Sequence, residues 1–194
     1  MASALSPRPL RLINLGLCFG VAIKPSAKAI KPKPYFCCMK IKLLVVGKTD
    51  EKYLQEGIAL FEKRLSRFIK FEQVLIPPIK ERNISPLQQK EKAAEAMLKH
   101  IKPTDTVVVL DEKGDQHTSA KFASLVNNWM VQAQGDIVFV TGGPYGTGKP
   151  VFDVAKHMIA FGKGTYSHQL VRLIFMEQIY RAFTILNNHP YHNE

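Results

Sequence analysis

Two apolar runs with no polar interruption set the strongest limit on the fold. Residues 106–111 read TVVVLD and residues 136–143 read DIVFVTGG. A half-solvated strand alternates apolar and polar residues; an unbroken β-branched run suits a strand buried on both faces, as in a parallel sheet covered by helices. The stretches around them agree. KIKLLVVG (40–47) reads as a strand ending on glycine, and FEQVLIPP (71–78) as a strand stopped by two prolines. Between them Leu54, Ile58, Phe61, Leu65 and Phe68 recur at helical spacing. Ser85-Pro86 opens a charged helix to about His100, and another helix covers about Ser119 to Gln132. Val151–Met158 reads as a short helix, Ile159–Phe161 as a stub of strand, and the last helix runs from about Gln169 to Leu186. This order predicts an α/β fold, a mainly parallel sheet with helices on both faces.

Ligands in such sheets bind beyond the carboxyl ends of the strands. Three predicted strands finish there on glycine-bearing segments: DEKG (111–114), GGPYG (142–146) and GKGTYS (162–167). Glycine at these ends permits positive φ and close approach of backbone to ligand. Three such loops at one edge predict a pocket. Residues 143–149 also match the G-x-x-x-x-G-K spacing of a phosphate-binding loop, and VVVLDE (107–112) looks like the acidic strand of a nucleotide hydrolase. Pro150 stands where that motif needs a Ser or Thr hydroxyl for magnesium. Pro144 also removes a backbone donor. The hydrolase therefore stands only as an alternative.

Charge and cysteine usage separate a leader from a body. Residues 1–38 hold six basic residues and no acid. Removing them from the 27 basic residues leaves 21 against 16 acids, a net +5 that suits a polyanion such as RNA. Cys18, Cys37 and Cys38 also fall in 1–38, so the body from Met39 has no thiol for a disulfide, zinc site or nucleophile. No His pair has metal-ligand spacing. The segment 1–38 reads as a transit peptide and linker, ahead of a catalytic domain at 39–194, with the plastid placed before the mitochondrion. A secretory signal competes, since Arg8 and Arg11 precede the uncharged run Leu12–Ile23. That run is too short to span a bilayer, which takes about 20 residues.

KLLVVGK, VVVLDEKG, FVTGGPYG, SHQLVR, EQIYRA and the terminal NHPYHNE together resemble the ribosomal RNA large-subunit methyltransferase H family, of the SPOUT class. The resemblance spans 39–194. It implies a C-terminal trefoil knot, S-adenosylmethionine as cofactor, a homodimer, and methylation of ring nitrogen 3 of a pseudouridine in large-subunit rRNA. No membrane partner is expected. Leu110, Gly143 and the run Gly162, Lys163, Gly164, Thr165, Tyr166, Ser167 match the family's cofactor-contacting positions. His192 is the candidate general base, since an imidazole titrates near neutrality, and Glu194 the group that orients it. His168 and Arg172 lie one helical turn apart and are assigned to pocket shaping or RNA phosphate binding. The last helix is apolar nearly all round, which predicts a subunit partner against it. Three positions depart from the family's habit: Ser167 for proline, Asn193 for a basic residue, and Tyr145 for a smaller or acidic one. A non-catalytic ribosome-assembly protein of the same fold is the further alternative.

Overall fold

A computed structural model describes residues 39–79, 81 and 83–191. The expected leader at 1–38 and the expected catalytic His192 and Glu194 lie outside the described residues. Ten elements follow in order: β1 (Lys40–Val46), α1 (Lys52–Leu65), β2 (Lys70–Ile76), α2 (Pro86–Leu98), β3 (Thr106–Gln116), α3 (Ser119–Gln132), β4 (Ile137–Thr141), α4 (Lys149–Val154), β5 (His157–Ala160) and α5 (Leu170–Leu186). The strands form one sheet in the order β2-β1-β4-β3-β5, and every neighbouring pair is parallel.

The apolar runs are explained by two cores. Ile41, Leu43 and Val45 of β1 face one core with Val108, Leu110 and Phe139; Leu44 and Val46 face the other with Val107, Val109, Val138 and Val140. Successive side chains of a strand point to opposite faces, so a strand covered on both sides must be apolar at every position. Helix α5 packs on α1 and α3 over the first face, and α2 packs on α4 over the second. Helix starts follow local rules. At α2 the Ser85 hydroxyl accepts from the Gln88 amide at 3.2 Å and the Gln88 side chain accepts from the Ser85 amide at 2.9 Å, a capping box with Pro86 in the first turn.

Three expectations change. Strand β3 runs on to Gln116 instead of ending near Asp111. It pairs with β5 through Leu110, leaves the ladder for residues 111–114, and pairs again at Asp115 opposite the same Ile159. Strand β5 starts at His157, inside the stretch expected to be helical, because α4 ends at Val154 and Ala155 is extended. Finally, α5 is covered from within the chain. Phe175, Met176, Ile179, Ala182 and Phe183 are all under 5% exposed, against α1 and α3. That face of α5 needs no second subunit to cover it, while Leu170 at its start is 36% exposed.

The amino edge of the sheet is held by charge. Asp136, just before β4, accepts from the Lys40 amide at 2.9 Å and pairs with the Lys42 ammonium at 2.7 Å. Asp105, just before β3 and 2% exposed, accepts from the Asp136 and Lys102 amides, each at 2.9 Å. Burial alone raises the Asp136 carboxyl, but the Lys42 ammonium and the Lys40 amide outweigh it and hold it below its ordinary 3.8. Asp136→Asn keeps an acceptor for Lys40 and removes the charge opposite Lys42. It is expected to cost about 1–2 kcal/mol at neutral pH. Because the folded carboxyl titrates below the unfolded one, this contribution is complete above the unfolded pKa and is lost as pH falls through the folded pKa. Urea unfolding of both proteins should therefore show a gap that narrows below about pH 4; an unchanged gap from pH 7 to pH 3 contradicts the assignment.

Candidate functional site

The carboxyl ends of β4, β3 and β5 open onto one cavity of about 800 Å3. Leu110, Asp111, Glu112 and Lys113 line it from β3, residues 141–147 from β4, and residues 158–162 and 164–168 from β5 and the loop after it. Val171 of α5, Phe152 of α4 and Lys90 of α2 complete the wall. The three glycine-bearing segments thus meet at one place. Of the residues expected to touch a cofactor, Leu110, Gly143, Gly162, Gly164, Thr165, Tyr166 and Ser167 line the cavity, and Lys163 does not.

Each wall has a local reason for its shape. After β4 the chain makes a tight turn, with the Gly146 amide donating to the Gly143 carbonyl at 2.9 Å. Pro144 presets φ at the second position, and Gly146 sits at φ +86°, where a side chain is strained. Gly142 is forced by space: a Cβ there would lie 2.4 Å from the Gly146 carbonyl carbon. A Cβ on Gly143 would instead meet the Val46 side chain at 3.3 Å. The expectation that Gly143 is glycine to admit a ligand is thereby corrected; that missing side chain would face the sheet.

The excursion of β3 is held on both sides. A Cβ on Gly114 would lie 2.5 Å from the Ile159 backbone, so glycine lets β3 rejoin β5. Within the excursion Asp111 accepts from the Lys113 amide at 3.0 Å. Across the mouth the Thr165 hydroxyl donates to the Glu112 carboxylate, tying the β3 wall to the β5 wall. Thr147, which lines the cavity from β4, has the one buried side-chain oxygen without a hydrogen-bond partner among the described residues.

Beneath this lies Arg172. It is fully buried, and it donates to the carbonyls of Val46 at 2.6 Å, Gly47 at 3.0 Å and His168 at 3.1 Å, and to the Thr49 hydroxyl at 3.0 Å. It is neither a solvent-exposed helix end nor a phosphate contact; it ties the end of β1 to the start of α5. Asp50 and Gln169 reinforce the tie with bonds of 2.8 and 2.7 Å. His168 does line the cavity. Burial and the Arg172 guanidinium push its imidazole pKa down, and Asp50 only partly offsets them, which favours the neutral form. The apolar neighbours of Arg172 in the first turns of α5, Leu170, Val171, Leu173 and Ile174, were the available signal for a buried cation.

The tail leaves α5 through a Schellman turn. Asn188 takes φ +52°, its amide donates to the Ile185 carbonyl at 3.1 Å, and the His189 amide to the Thr184 carbonyl at 2.9 Å. Tyr191 is thereby returned to its own helix. Its ring lies 4.9 Å from that of Tyr180 and 5.1 Å from the Arg181 guanidinium, and its hydroxyl donates to Glu177 at 3.3 Å. Although Pro190 precedes it, Tyr191 thus packs back on α5.

The phosphate-loop alternative finds no support. Lys149 pairs with Asp153 at 2.6 Å, and the helix it opens has six residues. Gly142→Ala should destabilise by about 1–3 kcal/mol through overpacking, whereas Gly143→Ala, meeting only a side chain that can give, should cost under about 1 kcal/mol. Equal urea midpoints for the two variants would contradict this account of the turn.

Residues 39–192 match the family model described as "Predicted SPOUT methyltransferase". Proteins named "Ribosomal RNA large subunit methyltransferase H" are similar over their whole length and 80% of this chain: 50% identical in Parabacteroides distasonis and 46% in Phocaeicola vulgatus. A solved structure, a probable methyltransferase from Bordetella pertussis Tohama I, aligns with a TM-score of 0.44 at 9% identity, covering 77% of this chain and 95% of that one, too distant to add to the assignment. With its family model matched from the first described residue and half its body identical to a full-length relative, the chain belongs to the SPOUT methyltransferase family.

Proposed function

We propose that this protein methylates large-subunit ribosomal RNA with S-adenosylmethionine, at ring nitrogen 3 of a pseudouridine. The observation that carries the reading is the cavity itself, walled by the carboxyl ends of three parallel strands in a chain so similar to proteins named for that activity. The residues fit the cofactor. Leu110 and Ile159 supply apolar wall, the carboxylates of Asp111 and Glu112 suit a ligand with cationic groups, and Thr147 holds an unpaired hydroxyl. Backbone groups of Gly162, Gly164, Thr165, Tyr166 and Ser167, which line the cavity, are our candidates for reading the adenine edge, with Lys163 between them in sequence. When bound, the cofactor supplies an electrophilic methyl group on a sulfonium. The protein's task is then to align the acceptor nitrogen with it and to remove that nitrogen's proton.

His192, oriented by Glu194, is our candidate for the base. His168, which lines the cavity and whose pKa is pushed down by burial, is the second candidate. The same reading includes a trefoil knot in the C-terminal half, as membership of the family implies. It includes a homodimer contacting the start of α5, where Leu170 is 36% exposed; sedimentation at micromolar concentration tests that. It also includes an organellar, plastid address in residues 1–38, which precede the family match; import of a fluorescent fusion to those residues tests it.

Deleting residues 192–194 while keeping Tyr191 should leave folding and S-adenosylmethionine affinity intact. Single-turnover methylation of unmethylated large ribosomal subunits should fall by about 10²–10⁴-fold, the loss typical of a positioned base. Rates within about threefold, a difference under 1 kcal/mol, would move the base to His168. A wild-type protein that binds the cofactor and the subunit but transfers no methyl would leave the assembly-protein alternative.

A further inference from the structure

Tyr145 sits at the third position of the Gly143–Gly146 turn and lines the cavity, yet 52% of it is exposed. Among the described residues its ring packs on no other ring and its hydroxyl makes no hydrogen bond, so the fold does not employ it. The backbone that carries it is stiff. Pro144 fixes φ ahead of it, the Gly146 amide closes the turn at 2.9 Å, and Gly142 admits no side chain beneath it. An aromatic ring on a stiff turn offers a large contact area, and only its two side-chain torsions remain to be ordered on binding. The loop after β5 brings a second exposed ring, Tyr166, to the same cavity, and Lys90 and Lys113 line it too.

A nucleobase that must meet a methyl donor inside a cavity has to leave its own stack, and loses stacking energy in doing so. Proteins restore that energy with aromatic side chains, which accept any base because every base has a π face. We infer that Tyr145 is the stacking platform for the nucleobase undergoing methylation. It therefore serves RNA binding and leaves cofactor binding to other residues. This inference rests on the RNA-methyltransferase reading above, and its test is built to fail separately from it.

The full-length wild type, Tyr145→Ala and Tyr145→Phe are compared in three measurements: calorimetric binding of S-adenosylmethionine, equilibrium binding of unmethylated large ribosomal subunits, and methyl transfer to those subunits. Tyr145→Ala is expected to raise both the subunit Kd and the subunit KM by roughly 10- to 100-fold, the loss of one base–aromatic stack. Cofactor affinity should not change, and Tyr145→Phe should stay within about threefold of wild type. The slope of log Kd against log salt should be unchanged, since no phosphate contact is removed. The inference is overturned if Tyr145→Ala binds the subunit like wild type, if cofactor affinity falls instead, or if Tyr145→Phe is as weak as Tyr145→Ala. Should the wild type bind subunits without transferring methyl, the enzyme reading fails while the Kd comparison still decides the stack. Should it not bind them at all, both fall.

Discussion

The site depends on a buried cation. Arg172 has no exposed surface, and its guanidinium is satisfied by three backbone carbonyls and one hydroxyl drawn from the end of β1, the loop beyond it and the segment leading into α5. A guanidinium presents several donors in a fixed plane, so it can hold segments at set angles where a lysine could not. Burial lowers its pKa, with Asp50 acting against that, but it remains charged at any working pH. Truncating it would leave those carbonyls without donors at the place where α5 begins. His168 and Val171 reach the cavity from that same place, so the cavity floor inherits its position from Arg172.

The two edges of the sheet divide the labour. At the amino edge the Asp136–Lys42 pair and the Asp105 bonds tie strand ends to one another. Lys156 adds a bond to the Asp105 carbonyl at 3.1 Å. At the carboxyl edge the backbone is shaped by glycines with no room for a side chain, and the Thr165–Glu112 bond closes one wall on another. Rigidity at one edge allows irregular loops at the other, which is where function collects on such scaffolds.

Much of the fold was legible because strands buried on both faces leave unbroken apolar runs, and those of β3 and β4 have no other ready explanation. The convergence of three glycine-bearing loops was legible for the same reason, since parallel strands put their carboxyl ends together. What was not legible depends on contacts distant in sequence. Gly114 reads as a turn, yet its lack of a side chain lets β3 continue beside Ile159. Gly142 and Gly143 look equivalent until one is seen against backbone and the other against Val46. The apolar girth of α5 says only that it is buried, and whether α1 and α3 or another subunit does the covering is a matter of packing. The burial of Arg172 had a faint signal in its apolar neighbours. The Thr165–Glu112 tie, spanning 53 residues, had none.

The central claim is that the carboxyl edge of β3, β4 and β5 forms a single cofactor site. Amide hydrogen exchange with and without S-adenosylmethionine tests it most directly. The account predicts added protection in residues 110–114, 141–147 and 162–168 together, with the amino edge around Asp105 and Asp136 unchanged. Protection confined to one of these segments, or appearing at the opposite edge, would contradict it.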